Sequence, residues 1–353
     1  MQGLENTNLS GLEELPTPRA LKGSLPASLA VAETVVAARG AVRGALHGSD
    51  ARLVAIVGPC SLHDPAAALD YAHRLRPVAA ALSGELIVLM RTYFEKPRTT
   101  LGWKGLVNDP RLDGSCDVSR GLSLARELLL EINALGLPCA TEFLDPITPQ
   151  YLADLVAWAA IGARTAESQT HREMASGLSM PVGVKNGTDG SVQVAVDAVT
   201  AVRHTHVFLG VSEHGRASIV RTTGNRDAHV VLRGGRSGPN WDRDAIADVA
   251  KRLAPLELAR AVVVDCSHEN SKKQPARQLE VAHALAAAGR DRAPALLGVM
   301  LESFLQGGRQ DWKPGGTHDY GVSITDACLG WDDTAQLLAE LAAAWRGAST
   351  HAA

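Results

Sequence analysis

Short apolar runs alternate with amphipathic segments along most of the chain. The runs predict eight strands, at Leu53–Val57, Leu86–Met90, Pro138–Phe143, Ile161–Thr165, Pro181–Lys185, His229–Arg233, Ala261–Asp265 and Leu296–Leu301. Helical periodicity lies between most of them, at Pro65–Ala81, Ser119–Leu135, Pro149–Ala160, Ser191–Val202, Arg243–Leu253 and Gln274–Ala288. Eight strand–helix units in a chain of 353 residues indicate an α/β fold, the (β/α)8 TIM barrel, as a single domain over residues 1–353.

Two segments go beyond what such a barrel needs. Residues 1–47 form a polar, proline-punctuated N-terminal arm followed by a helix over 28–47. Residues 204–224, between the fifth and sixth strands, contain the strand-like runs Val207–Val211 and Ala217–Thr222 on either side of a glycine-bearing turn. The pattern therefore predicts a barrel with an N-terminal arm and an inserted β-hairpin.

Composition narrows the class of protein. The net charge of −3 gives no basic surface for nucleic acid, and no apolar run reaches the length of a membrane span. The first ten residues are polar and lack the apolar core of a signal peptide. Five cysteines without a CxxC pair indicate free thiols in a reducing compartment. We therefore expect a cytoplasmic protein with no nucleic-acid or membrane partner.

One loop concentrates positive charge. Residues 90–104 read M-R-T-Y-F-E-K-P-R-T-T-L-G-W-K and carry Arg91, Lys96, Arg98 and Lys104, with a hydroxyl donor at Thr99. A solvated basic loop is the usual meaning of such a cluster. Here the first arginine ends a predicted strand, which is where ligands bind on parallel sheets, and guanidinium groups bind phosphate oxygens in pairs. The loop therefore predicts a site for a small phosphorylated substrate.

The C-terminal ends of the other predicted strands extend this site. Cations stand at or near them, at Arg91, Lys96, Arg164, Lys185 and Arg233, and suffice for two or three anionic groups. A second set consists of Cys60, His268 and Glu302, with Asp326 in the loop after the last strand. Each member alone is more typical of a buried thiol or an ordinary loop residue. Together at one barrel mouth they favour a divalent transition metal, which binds mixed sulfur, nitrogen and oxygen donors.

The motifs at these positions resemble one enzyme family. They are G-P-C-S at 58–61, R-T-Y-F-E-K-P-R-T-T-L-G-W-K at 91–104, G-A-R-T at 162–165, V-K-N-G-T-D-G at 184–190, L-R-G-G at 232–235 and D-C-S-H at 265–268. They resemble type I, feedback-regulated 3-deoxy-D-arabino-heptulosonate-7-phosphate (DAHP) synthases over essentially the whole chain. The resemblance implies condensation of phosphoenolpyruvate with erythrose 4-phosphate, the first step of the shikimate pathway. It also implies one divalent metal ion, with Mn, Fe, Co and Zn left open.

The resemblance implies a role for each strand-end residue. Phosphoenolpyruvate is held by Arg91, Lys96, Arg164, Lys185, Arg233 and the backbone of Ala163, and the aldose phosphate by Arg98 and Thr99. The metal ligands are Cys60, His268, Glu302 and Asp326. Lys96 is a candidate proton donor to the new alkoxide. Glu142 is a candidate for orienting the attacking water, with simple neutralisation of Arg164 or Lys185 as the alternative.

The resemblance also gives the arm and the hairpin a role, as an inhibitor pocket for an aromatic amino acid in a homo-oligomer, dimeric or tetrameric. The expected lining is Asn6, Pro149, Gln150, Leu178, Ser179, Phe208, Gly210 and Val220. Gly210 leaves room for a phenolic hydroxyl, which favours tyrosine over phenylalanine. The resemblance points the same way at Asn6, because phenylalanine-type relatives carry a carboxylate there. It also argues against tryptophan at Gln150, because the tryptophan type has glycine at that position. Sealing a subunit interface is the alternative role.

Three other functions remain open. A phenylalanine-sensitive form of the same enzyme differs only in the inhibitor. A 3-deoxy-octulosonate 8-phosphate synthase is opposed by the K-P-R-T-T loop at 96–100, the arm and the hairpin. A catalytically dead, phosphate-binding regulatory barrel is opposed by the complete set of cations and metal donors.

Overall fold

The computed structural model describes residues 4–347, with backbone alone at 290–292. Its strands are β1 Leu53–Gly58, β2 Leu86–Arg91, β3 Cys139–Glu142, β4 Trp158–Ile161, β5 Val182–Lys185, β6 Val207–Val211, β7 Ala217–Arg221, β8 Ala228–Leu232, β9 Val262–Asp265 and β10 Leu296–Glu302. Its helices are α1 Pro18–Ser24, α2 Leu29–His47, α3 Pro65–Ala81, α4 Val118–Ala134, α5 Thr148–Leu152, α6 Gln169–Ser176, α7 Gln193–Val202, α8 Arg243–Leu253, α9 Pro275–Arg292 and α10 Trp331–Gly347.

Eight parallel strands close into a barrel in the order β1-β10-β9-β8-β5-β4-β3-β2. Every residue of these strands is buried, as expected for a parallel sheet covered by helices on its outer face. The remaining strands, β6 and β7, form a separate antiparallel hairpin between α7 and β8. The predicted barrel with an inserted hairpin is confirmed.

Helix α2 closes the end of the barrel opposite the site. Its Val42 and Leu46 join Ile56 and Trp158 in a buried cluster inside the barrel. On the same helix, Arg43 Nε contacts Asp227 Oδ2 at 2.7 Å. Among the described residues no single helix is long and apolar enough to cross a membrane. Helices α1 and α2 are long and apolar enough only when taken together, and they are bent by 119° at their junction.

Two sequence predictions near the fourth strand are wrong. The strand is Trp158–Ile161 rather than Ile161–Thr165, and the helix predicted over Pro149–Ala160 ends at Leu152, followed by a 3-10 turn. Residues 158–161 pair in register with β3 and β5, and Thr165 donates its N–H to Gly162 O, which turns the chain away from the sheet. A short apolar run suits a helix and a strand equally, so pairing with neighbouring strands decides.

The arm also contains an unpredicted element. Helix α1 begins after Thr17, whose side chain accepts the N–H of Ala20, and it buries Leu21 against the core. Its first turn contacts the hairpin, because Arg19 donates its N–H to Glu213 O. The part of the arm nearest the barrel is therefore packed, while Leu4, Leu9 and Leu12 are exposed.

Candidate active site

The C-terminal ends of the barrel strands surround a cavity of about 310 Å³ that is lined mainly by polar and charged side chains. The cations on its wall are Arg91, Lys96, Arg98, Arg164, Lys185, Arg233, Lys273 and Arg309, with Thr99, Ala163, Glu142, His268 and Asp326 beside them. Every residue predicted to bind substrate lies on this wall. Eight cations against two carboxylates make the cavity suited to a polyanionic ligand.

The predicted metal donors converge at one side of the cavity. The Cys60 sulfur and one carboxylate oxygen each of Glu302 and Asp326 lie within 4.8 Å of one another. Strand register explains part of this, since Gly58 pairs with Glu302 across β1 and β10. The fourth donor, His268 Nε2, lies 3.8 Å from Glu302 Oε1. This soft and hard donor set fits one divalent transition metal.

His268 is oriented by its neighbours. Its Nδ1 lies 2.8 Å from Ser267 Oγ and 2.9 Å from Asp265 Oδ2, so Nε2 is the ring nitrogen directed at the donor cluster. Its backbone has a φ of 52°, an uncommon conformation for a residue other than glycine. Such a support for the second ring nitrogen is typical of histidines that bind metals.

Cys60 is fully buried rather than exposed at the mouth. Burial raises the pKa of its thiol to about 11; the Glu302 charge adds to the rise, and the Lys96 ammonium partly offsets it. Lys96 Nζ donates to Cys60 Sγ at 3.1 Å and to Cys60 O at 3.2 Å. Burial lowers the pKa of Lys96, but the Cys60, Glu302 and Asp326 charges outweigh it and raise the pKa above its ordinary value.

Arg91 is the most constrained cation of the site. It is fully buried, and its Nη2 donates to Glu302 Oε1 at 3.1 Å while Nε donates to Pro59 O at 3.2 Å. Its guanidinium carbon lies 3.9 Å from the centre of the Tyr93 ring. These contacts fix the guanidinium plane before any ligand binds.

Glu142 is paired with Lys185. Lys185 Nζ lies 2.6 Å from Glu142 Oε2 and 4.0 Å from Asp265 Oδ2, and the first two side chains are each 5% exposed. Burial raises the pKa of Glu142, but the Lys185 ammonium outweighs it and leaves the pKa below its ordinary value. Arg164, the other proposed partner of Glu142, instead donates to Thr99 Oγ1 at 3.3 Å.

Several residues that line the cavity were absent from the predicted site, among them an aromatic residue and two further cations. Tyr93 lies beneath Arg91, and Lys273 and Arg309 belong to the loops after β9 and β10. The strand-end argument overlooks both loop residues, because each follows its strand by several positions. Lys104, part of the predicted basic loop, lies outside the lining, and its carbonyl accepts the N–H of Lys96.

The predicted inhibitor residues are only partly brought together. Phe208, Gly210 and Val220 share the half-buried face of the hairpin. Ser176, which precedes Leu178 and Ser179 in the chain, forms a hydrogen bond with Thr222 at the base of the hairpin. Pro149 and Gln150 stand in α5, whose Tyr151 donates its hydroxyl to Pro16 O of the arm. Asn6 is exposed, and among the described residues its side chain forms no hydrogen bond with the other seven.

The fold and this site define a (β/α)8-barrel enzyme that acts on small phosphorylated molecules. The sequence profile of the DAHP synthetase I family matches residues 30–339, and the chain belongs to that family.

Curated relatives span almost the whole chain. A phospho-2-dehydro-3-deoxyheptonate aldolase of Enterobacter agglomerans, Trp-sensitive, is 50% identical over 98% of this chain and 99% of its own length. The Phe-sensitive and Tyr-sensitive enzymes of Escherichia coli K12 are 50% and 48% identical, each over 96% of this chain, and over 96% and 95% of their own lengths. A solved structure of the same enzyme from Francisella tularensis matches with a TM-score of 0.93 and 44% identity, covering 97% of this chain and 99% of that one.

Proposed function

We propose that this chain is a metal-dependent, tyrosine-regulated 3-deoxy-7-phosphoheptulonate synthase, which condenses phosphoenolpyruvate and erythrose 4-phosphate with water. The products are 3-deoxy-D-arabino-heptulosonate 7-phosphate and inorganic phosphate. The observation that carries the proposal is a cavity lined by eight cations that adjoins a cluster of Cys60, His268, Glu302 and Asp326. Two phosphorylated substrates and one carboxylate call for this amount of positive charge.

The chain's own residues bind and orient both substrates. Arg91, Arg164, Lys185 and Arg233 hold the phosphate and carboxylate of phosphoenolpyruvate, while Arg98 and Thr99 hold the phosphate of the aldose. When bound at the donor cluster, the divalent metal supplies Lewis-acid polarisation of the aldehyde oxygen. With the substrates fixed, C3 of phosphoenolpyruvate attacks the aldehyde carbon, water adds at C2, and phosphate leaves by C–O cleavage. Much of the acceleration then comes from positioning.

Lys96 is suited to the proton transfer. Its Nζ lies beside Cys60, and its pKa is raised, so the ammonium form is present at neutral pH. From there it donates a proton to the oxygen that becomes the new hydroxyl. Glu142 keeps Lys185 in place, and its carboxylate lies on the cavity wall, where it is a candidate for orienting the attacking water.

A turnover assay tests the activity and the metal together. The purified protein is treated with a chelator, dialysed, and assayed with phosphoenolpyruvate and erythrose 4-phosphate before and after addition of Mn²⁺, Fe²⁺, Co²⁺ or Zn²⁺. We expect turnover to be lost and then restored. The same assay with arabinose 5-phosphate as the aldose tests the alternative, because turnover with that sugar would indicate a 3-deoxy-octulosonate 8-phosphate synthase. Full turnover in the chelated protein contradicts metal dependence, and no turnover with any metal favours a dead regulatory barrel.

Tyrosine is the favoured inhibitor on grounds of space. A Cβ at position 210 would lie 2.7 Å from Val220 Cγ2, so a larger residue there would crowd the half-buried hairpin face on which we place the ligand. The relatives named above include Trp-, Phe- and Tyr-sensitive enzymes at nearly equal identity, so overall similarity does not select the amino acid. Inhibition curves with each of the three decide it, and phenylalanine or tryptophan acting at lower concentration contradicts the choice.

The assembly is a homo-oligomer. Leu4, Leu9 and Leu12 of the arm are exposed, and so are Leu209 and Ile219, which pair on the outer face of the hairpin. Apolar side chains grouped on two projecting segments support burial against another copy of the chain. Light scattering after gel filtration distinguishes dimer from tetramer, and a monomer contradicts the proposal. The five cysteines are free, which suits a cytoplasmic enzyme.

A further inference from the structure

Glu95 lies directly before Lys96, yet it does not line the substrate cavity. Its side chain is turned the other way, towards the loop between β3 and α5, and is 4% exposed. Oε1 accepts the N–H of Asp145 at 3.1 Å and the hydroxyl of Thr148 at 3.3 Å, and Oε2 accepts the N–H of Leu144 at 3.3 Å. Both carboxylate oxygens are therefore bonded to that one loop.

This carboxylate is held without a counter-ion. Among the described residues no ion pair includes Glu95. Burial raises its pKa to about 7, the hydrogen bonds from Leu144 and Asp145 partly offset the rise, and the charge of Asp145 adds to it. Burying an unpaired carboxylate is costly, so the three hydrogen bonds are what keeps Glu95 in this position. An apolar residue would fill the space at lower cost, but it would not join the two loops.

The residues around Glu95 transmit its position to Lys96. Lys96 donates its N–H to Lys104 O at 2.8 Å, and Val107 donates its N–H to Phe94 O at 3.3 Å. These two hydrogen bonds join the beginning of the loop to its end. Gly105 lets the two ends of this loop pack closely, because a Cβ there would lie 2.1 Å from Phe94 O. The backbone from 94 to 107 is thus tightly closed, and a shift at Glu95 moves the Lys96 backbone with it.

The loop on the other side connects two functional regions. It starts after Glu142 of the active site and ends at Thr148, the first residue of α5, next to Pro149 and Gln150. A cavity of about 100 Å³ separates Glu95 and Thr148 from Leu15 of the arm. This space gives the start of α5 room to move without a clash in the core.

We propose that Glu95 is a positioning residue, whose carboxylate ties Lys96 to the start of α5 and so couples movement of α5 to the placement of the Lys96 ammonium beside Cys60. The coupling to an inhibitor rests on the proposed function, because it takes the α5 residues Pro149 and Gln150 as part of the inhibitor pocket. The placement of Lys96 does not depend on that assignment.

Four variants and a matched control test the proposal. Glu95→Gln keeps the shape but replaces one acceptor oxygen by an amide donor, Thr148→Val removes only the hydroxyl, and the double variant combines them. The control is Asp109→Asn, a buried carboxylate of the same segment that accepts the N–H of Gly114 and does not reach the β3–α5 loop. Circular dichroism verifies folding of each, and Glu95→Asp tests rescue by a shorter carboxylate.

The expected result is a split between kcat and KM. Glu95→Gln lowers kcat by about 10- to 100-fold with little change in either KM, since misplacing a catalytic group by about 1 Å costs up to about 100-fold. Thr148→Val has a smaller effect that does not add to that of Glu95→Gln, because both break the same link. Tyrosine inhibits Glu95→Gln less completely than the unmodified enzyme, while Asp109→Asn retains full inhibition and kcat.

Hydrogen exchange gives a readout that does not need turnover. Amides of residues 92–107 and 143–150 exchange faster in Glu95→Gln than in Asp109→Asn if Glu95 links the two loops. Equal exchange in the two variants overturns the proposal, and so does an equal kcat. An unmodified enzyme with no turnover contradicts the proposed function instead. Loss of kcat with unchanged tyrosine inhibition overturns the coupling to α5.

Discussion

The buried pair of Lys185 and Glu142 provides the sharpest test of how the site is held together. Replacing Lys185 by methionine leaves the Glu142 carboxylate 5% exposed and without its contact cation. Removing one partner of a buried pair costs about 3–5 kcal/mol of unfolding free energy. We expect the loss of unfolding free energy in Lys185→Met to lie in that range. Burial raises the pKa of Glu142 and so disfavours its charged form, and no other cation contacts its side chain in the described structure.

The reverse change is milder for a structural reason. In Glu142→Gln the amide oxygen still accepts a hydrogen bond from Lys185, and the ammonium keeps Asp265 at 4.0 Å. The loss is then mainly that of a charge-assisted bond, about 1.5–3 kcal/mol. The double variant Lys185→Met/Glu142→Gln has no uncompensated charge, so its loss falls below the sum of the two by about 2 kcal/mol.

The assay is urea unfolding of the four proteins at one protomer concentration, because assembly makes stability depend on concentration. The pKa of Glu142 is below its ordinary value, so its contribution is present at neutral pH and is lost as the pH falls through the folded-state value. The exposed pair Arg74 and Asp70 serves as control, with an expected coupling of about 0.3–0.5 kcal/mol. A coupling for Lys185 and Glu142 no larger than in the control refutes the reasoning.

Three further outcomes follow from the site. Cys60→Ala should lose metal-dependent turnover and bound metal together, and near-normal turnover with metal present would exclude Cys60 as a ligand. Lys96→Met should mainly lower kcat, whereas Arg98→Ala should mainly raise KM for erythrose 4-phosphate, by about tenfold or more if one charged hydrogen bond is lost; equal changes in both parameters for both variants would argue against this division. Ser179→Phe should relieve tyrosine inhibition and leave kcat unchanged, and full inhibition of that variant would place the pocket elsewhere.

The barrel was predictable from sequence because its strands are buried on both faces. Continuous apolar runs such as Leu53–Val57 and Leu86–Met90 mark parallel strands, and local capping marks the helices between them. Helix α3 has the predicted bounds, since Asp64 accepts the N–H groups of Ala66 and Ala67 and Pro65 occupies the first helical position. The fourth strand was not predictable in this way, because Trp-Ala-Ala-Ile also suits a buried helix.

The residues of the candidate site also differ in how far the sequence predicts them. Residues at strand ends, such as Cys60, Arg91 and Lys185, follow from the geometry of the fold once the strands are assigned. Pairings made across the site do not follow from that geometry. Glu95 and the groups that donate hydrogen bonds to it are separated by about 50 positions, and nothing in the motif around it distinguishes this carboxylate from an exposed one. Contacts of this kind depend on how two loops pack, which a single sequence does not encode as a periodic signal.

The two halves of the cation set differ in how far they are fixed before substrates bind. Arg91 and Lys185 are buried and bonded to carboxylates, so their ordering cost is met by folding. Arg98 and Thr99 lie in an exposed loop, and the free energy needed to order that loop has to be supplied by aldose binding. Lys96 joins the two halves, with its side chain at Cys60 and its backbone in the loop. A fixed support behind Lys96 therefore acts on both halves, and Glu95 occupies that position.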